Sequence, residues 1–311
     1  MLAFPLALLE NLVMRSLRVV RCFMIPAVLI ATLAPAASGQ DVHYDVFVTS
    51  SGTSLVIGGY DDAATTATVP ADQMRVFGGE VVPATGTAAP YESASPGEPG
   101  FRAATQSFLN NPSLTTPAGV YTALPGSTPL TFSFLPISIG SDSRNLFYWS
   151  GTGSVAFAPV GADVSLDLAK LGGGGWTTGI NGSSAAVIAG NTIQVTSAGV
   201  SAGTVHTHLF TSIAKAGAAP DQGFYLYAMQ LGMTGLQSSD SLYFVVGALD
   251  PATLTPEQFA DFETAHGLAE VWVENNLAAV PEPASFAIIG LGLAGMVGTA
   301  SRGMRSRTNR R

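Results

Sequence analysis

The stretch Val205-His206-Thr207-His208 has the residue types and spacing of a metal site. On an extended strand alternate side chains share a face, so His206 and His208 point the same way, about 6.5–7 Å apart by strand rise. Two imidazoles at that spacing can converge on one zinc or copper ion. Near the start of the body, Asp41-Val42-His43-Tyr44-Asp45 repeats the pattern, with Asp41, His43 and Asp45 on one face. If the two strands are neighbours, His43, His206 and His208 with Asp45 make a zinc-type donor set for a divalent metal. The alternative is that these are half-exposed sheet residues with ordinary hydrogen-bond partners, and no cofactor.

Other motifs carry less. Gly199-Val200-Ser201-Ala202-Gly203 satisfies the Gly-x-Ser-x-Gly pattern, but strand signals flank it where a nucleophile elbow needs a helix to follow, so it reads as a turn. Gly172–Gly175 lacks the lysine of a phosphate loop and reads as a linker. Phe147-Tyr148-Trp149 reads as core plus one exposed ring, with a sugar platform as the rival. A polysaccharide-acting enzyme would want a pair of carboxylates about 5 to 10 Å apart, and the sequence marks no such pair. The expectation is therefore a non-enzymatic structural or binding domain. A metal-binding surface module and an enzyme acting on extracellular polysaccharide remain the alternatives.

The elements around these motifs are predicted to be strands. Charged residues make up only 11% of the 311, while Gly and Pro number 35 and 19, which suits a turn-rich β protein. Extended runs recur roughly every ten residues between Gln40 and Ala248, with Ser51-Gly52 at the bend of a first hairpin. The predicted fold is all-β, an antiparallel, jelly-roll-like β-sandwich over 40–252. Residues 83–128, rich in Pro, Gly, Ala, Ser and Thr, read as a long loop with little regular structure. A helical stalk is predicted over 253–279, with Thr255 as N-cap, Pro256 in the first turn and Gln258 completing a capping box. Its apolar stripe is predicted as Phe259, Phe262, Ala265, Leu268, Val271 and Trp272, with Gly267 as a break.

The charge is distributed unevenly. The net charge is −8, but Gln40–Val280 holds five basic residues against nineteen acidic ones, and the other eight arginines sit near the two ends. So acidic a body repels phosphate backbones and excludes nucleic acid as a partner. The single cysteine, Cys22, lies in a segment that reads as a signal peptide over 1–39, starting at Met14 and cut by signal peptidase near Ala36 or Gly39. Removal of that segment leaves no thiol, hence neither disulfides nor thiolate zinc sites.

Residues 280–311 read as a separate module. Val280-Pro281-Glu282-Pro283 precedes the 17-residue apolar run Ala284–Ala300, which is at the short end of a membrane-spanning helix. Five arginines follow within the last ten residues, and the positive-inside rule leaves them in the cytoplasm. This order of motif, transmembrane helix and basic cluster resembles the PEP-CTERM sorting signal. The resemblance implies recognition by an exosortase-type membrane enzyme and delivery to the cell surface or extracellular matrix. The body also resembles surface-anchored domains of the choice-of-anchor M type. His43 and Asp45 match that family's first motif, His206, His208 and Phe210 its second, and Gly223 with Tyr225 its third. The match is in short pieces, and Thr211-Ser212-Ile213 replaces the family's acidic stretch after the histidines. This second resemblance implies a metal-related surface role.

Overall fold

The computed structural model describes residues 44–278 except 62–64, 70–73, 85–88, 94–98, 112 and 171–174. The expected signal peptide, His43, and the tail from 279 onward, including Val280–Pro283, lie outside the described residues. In chain order come β1 (Asp45–Ser51), β2 (Ser54–Asp61), β3 (Thr66–Thr68), β4 (Val76–Pro83), β5 (Tyr91–Glu92) and β6 (Gly100–Ala103). A one-turn helix α1 (Gln106–Leu109) is followed by β7 (Thr115–Thr116), β8 (Pro129–Leu135), β9 (Ile137–Ile139), β10 (Asp142–Arg144) and β11 (Phe147–Trp149). Next come β12 (Ala158–Pro159), β13 (Val164–Lys170), β14 (Trp176–Asn181), β15 (Ile188–Val195), β16 (Val205–His208) and β17 (Phe210–Lys215). The last strands are β18 (Gly223–Met233) and β19 (Leu242–Ala248), before helix α2 (Pro256–Asn276).

Two sheets make a sandwich. One runs β16-β6-β1-β2-β3-β7; the larger runs β12-β11-β18-β19-β4-β5-β17-β13-β14, with β8 also on β18 and β15 on β8. Most pairs are antiparallel, but β1–β6, β3–β7 and β4–β19 are parallel. Val46, Val48, Leu55 and Ile57 of the first sheet share one buried cluster with Phe77, Leu166, Tyr225, Tyr227 and Phe244 of the second. The strand β18 shows how the sequence specifies this: it is apolar along nearly its whole length because both faces are covered. Its Tyr225, Tyr227 and Met229 enter the inter-sheet core, while Phe224, Leu226 and Ala228 face a second cluster under α2. A third cluster, with Phe47, Tyr60 and Leu109, backs the smaller sheet.

The hairpin forms as the sequence predicts. Ser51 pairs with Ser54, and Gly52 takes a left-handed φ of 61°, which glycine adopts without steric cost. Segment 83–128, read from composition as a loop, instead contributes β5, β6, α1 and β7, and β6 is an interior strand of the smaller sheet. Four residues are too few for a periodicity signal, yet both edges of β6 are paired. The helix also differs from its predicted form. It runs unbroken through Gly267 and buries Ala265, His266, Ala269 and Val273, leaving Phe259, Leu268 and Val271 exposed. Among the described residues no helix is long and apolar enough to cross a membrane.

Candidate metal centre

The His-x-His strand and the first strand are not neighbours. Strand β6 lies between them, antiparallel to β16 and parallel to β1. Its register sets His206 opposite Arg102 and His208 opposite Gly100, while Val46 stands opposite Phe101. Val205, Phe101 and Val46 enter the inter-sheet core. Strict alternation then places His206, His208, Gly100, Arg102 and Asp45 on the outer face of this sheet.

Asp45 and His208 meet across the intervening strand because that strand offers glycine there. The Gly100 N–H donates to Asp45 Oδ1 at 2.7 Å. A Cβ at position 100 would stand 2.6 Å from Asp45 Oδ1 and 2.8 Å from His208 Nδ1, so any side chain would fill the gap the two share. Asp45, His206 and His208 each bring one ligand atom within 4.8 Å of the others. The imidazole centroids of His206 and His208 are 5.4 Å apart, with the rings tilted by 60°. Zinc–nitrogen bonds of about 2.0–2.1 Å put tetrahedral donors about 3.3 Å apart, so a modest rotation of these side chains closes the set on an ion.

The environment is graded. Asp45 is buried at 3% exposure, His208 is half-buried and His206 faces solvent. Three protein donors with an open outer side match the ligand count of a site that keeps a position for water or an external ligand. The His206 backbone N–H donates to Gln194 Oε1 at 3.3 Å, tying β16 to β15. Arg102, the cross-strand partner of His206, lays its guanidinium 3.9 Å over the Tyr60 ring, a cation–π contact that holds this positive charge on an aromatic face. Gly100 and Arg102 lie in the segment read as a loop. The signal available for them was a glycine beside Phe101 and Arg102, which marks a close approach only once the register is known.

The remaining motifs resolve into structure. Ser201 ends a single 3-10 turn, Gly199–Ser201, rather than opening a helix. Phe147 and Trp149 are buried in the cluster under α2, and the Tyr148 hydroxyl donates to the Gln222 carbonyl at 2.7 Å. Asn181 Oδ1 accepts from the Ser183 and Ser184 backbone N–H groups, a local turn. A cavity of about 250 Å³ is lined by Asp163, Asp221, Lys215, Tyr148 and Tyr225. There Lys215 Nζ donates to Asp221 Oδ2 at 2.8 Å.

The comparisons bear on the C terminus. The family described as PEP-CTERM protein-sorting motif matches residues 279–305. Comparison with curated proteins and with solved structures finds no match. The chain thus carries a PEP-CTERM sorting signal, which exosortase, a membrane enzyme, recognises and which implies export and membrane-anchored sorting toward the cell surface.

Proposed function

We propose that the protein is an exosortase-sorted surface or matrix protein whose β-sandwich is a binding module, holding a zinc-type divalent ion on Asp45, His206 and His208. One observation carries this reading: three donor atoms from β1 and β16 gather within 4.8 Å of one another across a glycine. A half-exposed structural histidine pair needs no such gap, and one carboxylate with two imidazoles is a donor set that suits a zinc-type ion. His43, the remaining member of the donor set expected from the sequence, lies outside the described residues. Binding is favoured over hydrolysis of polysaccharide because Asp221, one of the two carboxylates in the 250 Å³ cavity, is already held by Lys215.

The test is a zinc titration of the full chain in detergent, purified on a tag without histidine, followed by calorimetry and elemental mass spectrometry. The His206→Ala/His208→Ala variant is expected to lose one equivalent of zinc. An unchanged stoichiometry in that variant overturns the assignment.

A further inference from the structure

The strand directions gather several loops and the exit of α2 at one end of the sandwich. Strands β1, β15 and β18 run toward this end, and β2, β8, β16 and β19 run away from it. The segments there include 51–54, 117–128, 196–204 and 234–239, and hydrogen bonds tie them into one surface. Ser50 and Thr122 exchange N–H···O=C bonds of 3.0 and 2.9 Å, the Gln237 N–H donates to the Thr53 carbonyl at 2.7 Å, and the Ser127 N–H donates to the Thr196 carbonyl at 3.1 Å. Gly203 packs so closely on Leu124 that a Cβ would stand 2.2 Å from the Leu124 carbonyl oxygen. Helix α2 starts beyond the far end of β19 and returns, so the Tyr243 hydroxyl at the start of β19 donates to the Leu277 carbonyl at 3.1 Å.

The two ends differ in charge. None of the segments 51–54, 117–128, 196–204 and 234–239 contains Asp, Glu, Lys or Arg. Near them, Arg75 is paired with Asp240, Lys170 Nζ donates to the Ile193 carbonyl, and Glu274 sits on the last turn of α2. At the opposite end, the turns before β13 and β18, the turn after β19 and the start of α2 bring Asp163, Asp221, Asp250 and Glu257 together with Lys215. The uncharged end also shows apolar side chains to solvent: Val120 is 60% exposed, Val195 52% and Val200 fully so. Single exposed valines are ordinary. Three at the one end whose loops lack charge, and from which the chain leaves for its sorting signal, suit an apolar boundary.

We propose that this end, through Val120, Val195 and Val200, rests on the surface of the membrane that holds the C-terminal tail. Five residues, 279–283, separate Ala278 from the apolar run Ala284–Ala300. Even fully extended, that connection spans only about 20 Å, so an anchored run keeps the exit of α2 within reach of the lipid headgroups. A tethered contact needs little intrinsic affinity, because an effective concentration on the order of millimolar replaces diffusional encounter. Anionic headgroups repel the acidic end, and burial of the valines at the headgroup boundary favours the other. The proposal rests on the sorting signal and its anchor and is independent of the metal site.

The test takes the full chain, made in an exporting host without exosortase so that the tail stays attached, with Cys22→Ser to remove the native thiol. It is reconstituted in vesicles of phosphatidylcholine and phosphatidylglycerol, and a fluorophore is placed by Val120→Cys, Val200→Cys or, at the acidic end, Ala219→Cys. Nitroxide-bearing lipid is expected to quench the labels at 120 and 200 at least about twofold more than the label at 219. Val120→Asp/Val200→Asp is expected to bring a label at Val195→Cys down to the level seen at 219, with an unchanged thermal melt because both valines are exposed. Equal quenching at 200 and 219 overturns the proposal, as does undiminished quenching in the aspartate variant. Protection of the label at 200 from both lipid-borne nitroxide and aqueous iodide would mean that a second copy covers this end, and also overturns it. So does a chain that fails to float with the vesicles, since the contact depends on the anchor. Zinc content of the same samples reports separately on the strand site.

Discussion

Gly100 decides whether the donors at the outer face can meet. Its missing side chain leaves the space where Asp45 and His208 converge, and the clashes a methyl would cause are with ends of side chains. Gly100→Ala should therefore be tolerated by the fold, at about 1–2 kcal/mol. It should weaken zinc binding about tenfold or more by pushing Asp45 and His208 apart. Calorimetry with a thermal melt alongside distinguishes this from unfolding. Asp167 tests a different balance. It is half-buried on β13, and burial pushes its carboxyl pKa up. Because the folded pKa lies above the unfolded one, its ionisation costs stability at neutral pH, and the cost vanishes once pH falls below the unfolded value of about 3.9. Asp167→Asn should raise the melting temperature at pH 7 and leave it unchanged near pH 3. Solvent screening limits the gain to a few tenths of a kcal/mol, roughly.

Helix α2 separates what is local from what is not. Its start is written in a few adjacent residues, and Thr255 Oγ1 accepts from the Gln258 N–H at 3.3 Å while Gln258 Oε1 accepts from the Thr255 N–H at 2.9 Å. Thr255→Ala should cost about 1 kcal/mol in chemical denaturation. The buried face was legible in part: Phe262, Ala265 and Trp272 of the predicted stripe pack against the sheet, but hydrophobicity also selects Leu268 and Val271, whereas the sheet selects residues that fit over Gly78 and Gly247. His266 and Ala269, which the stripe did not include, take the remaining places because a small residue and an oriented ring allow close contact. The same reasoning explains β6: its place between β1 and β16 is fixed by long-range pairing, which composition does not encode. Alternation alone puts His206 and His208 on one face of their strand and His43 with Asp45 on one face of theirs, but it reveals neither that the two faces coincide nor the strand between them. Gly247→Ala should test the seam, since Phe262 is stacked on Phe224 at 4.6 Å and cannot retreat easily. A loss of about 1–3 kcal/mol is expected, with faster hydrogen exchange confined to 256–276.

At the scale of the molecule, the sorting signal and the proposed metal site lie in different parts of the chain. The basic residues of the body are spread along the sequence, whereas five arginines are concentrated at 302–311, overlapping the end of the matched sorting motif. The PEP-CTERM match begins at 279, just past the last described turn, where the Tyr243 hydroxyl donates to the Leu277 carbonyl at 3.1 Å. That contact lies two residues before the matched sorting motif, so Pro281 and Glu282 are separated in sequence from the strands of the sandwich. Pro281→Ala/Glu282→Ala should therefore leave the fold and its zinc content intact while the chain accumulates in the membrane fraction instead of at the surface. His206→Ala/His208→Ala should do the reverse, losing zinc and reaching the surface normally. Cell fractionation with immunoblotting and metal analysis reads both. If loss of the histidines also blocked export, metal binding would have to act before sorting, and the two parts of the chain would not be separable.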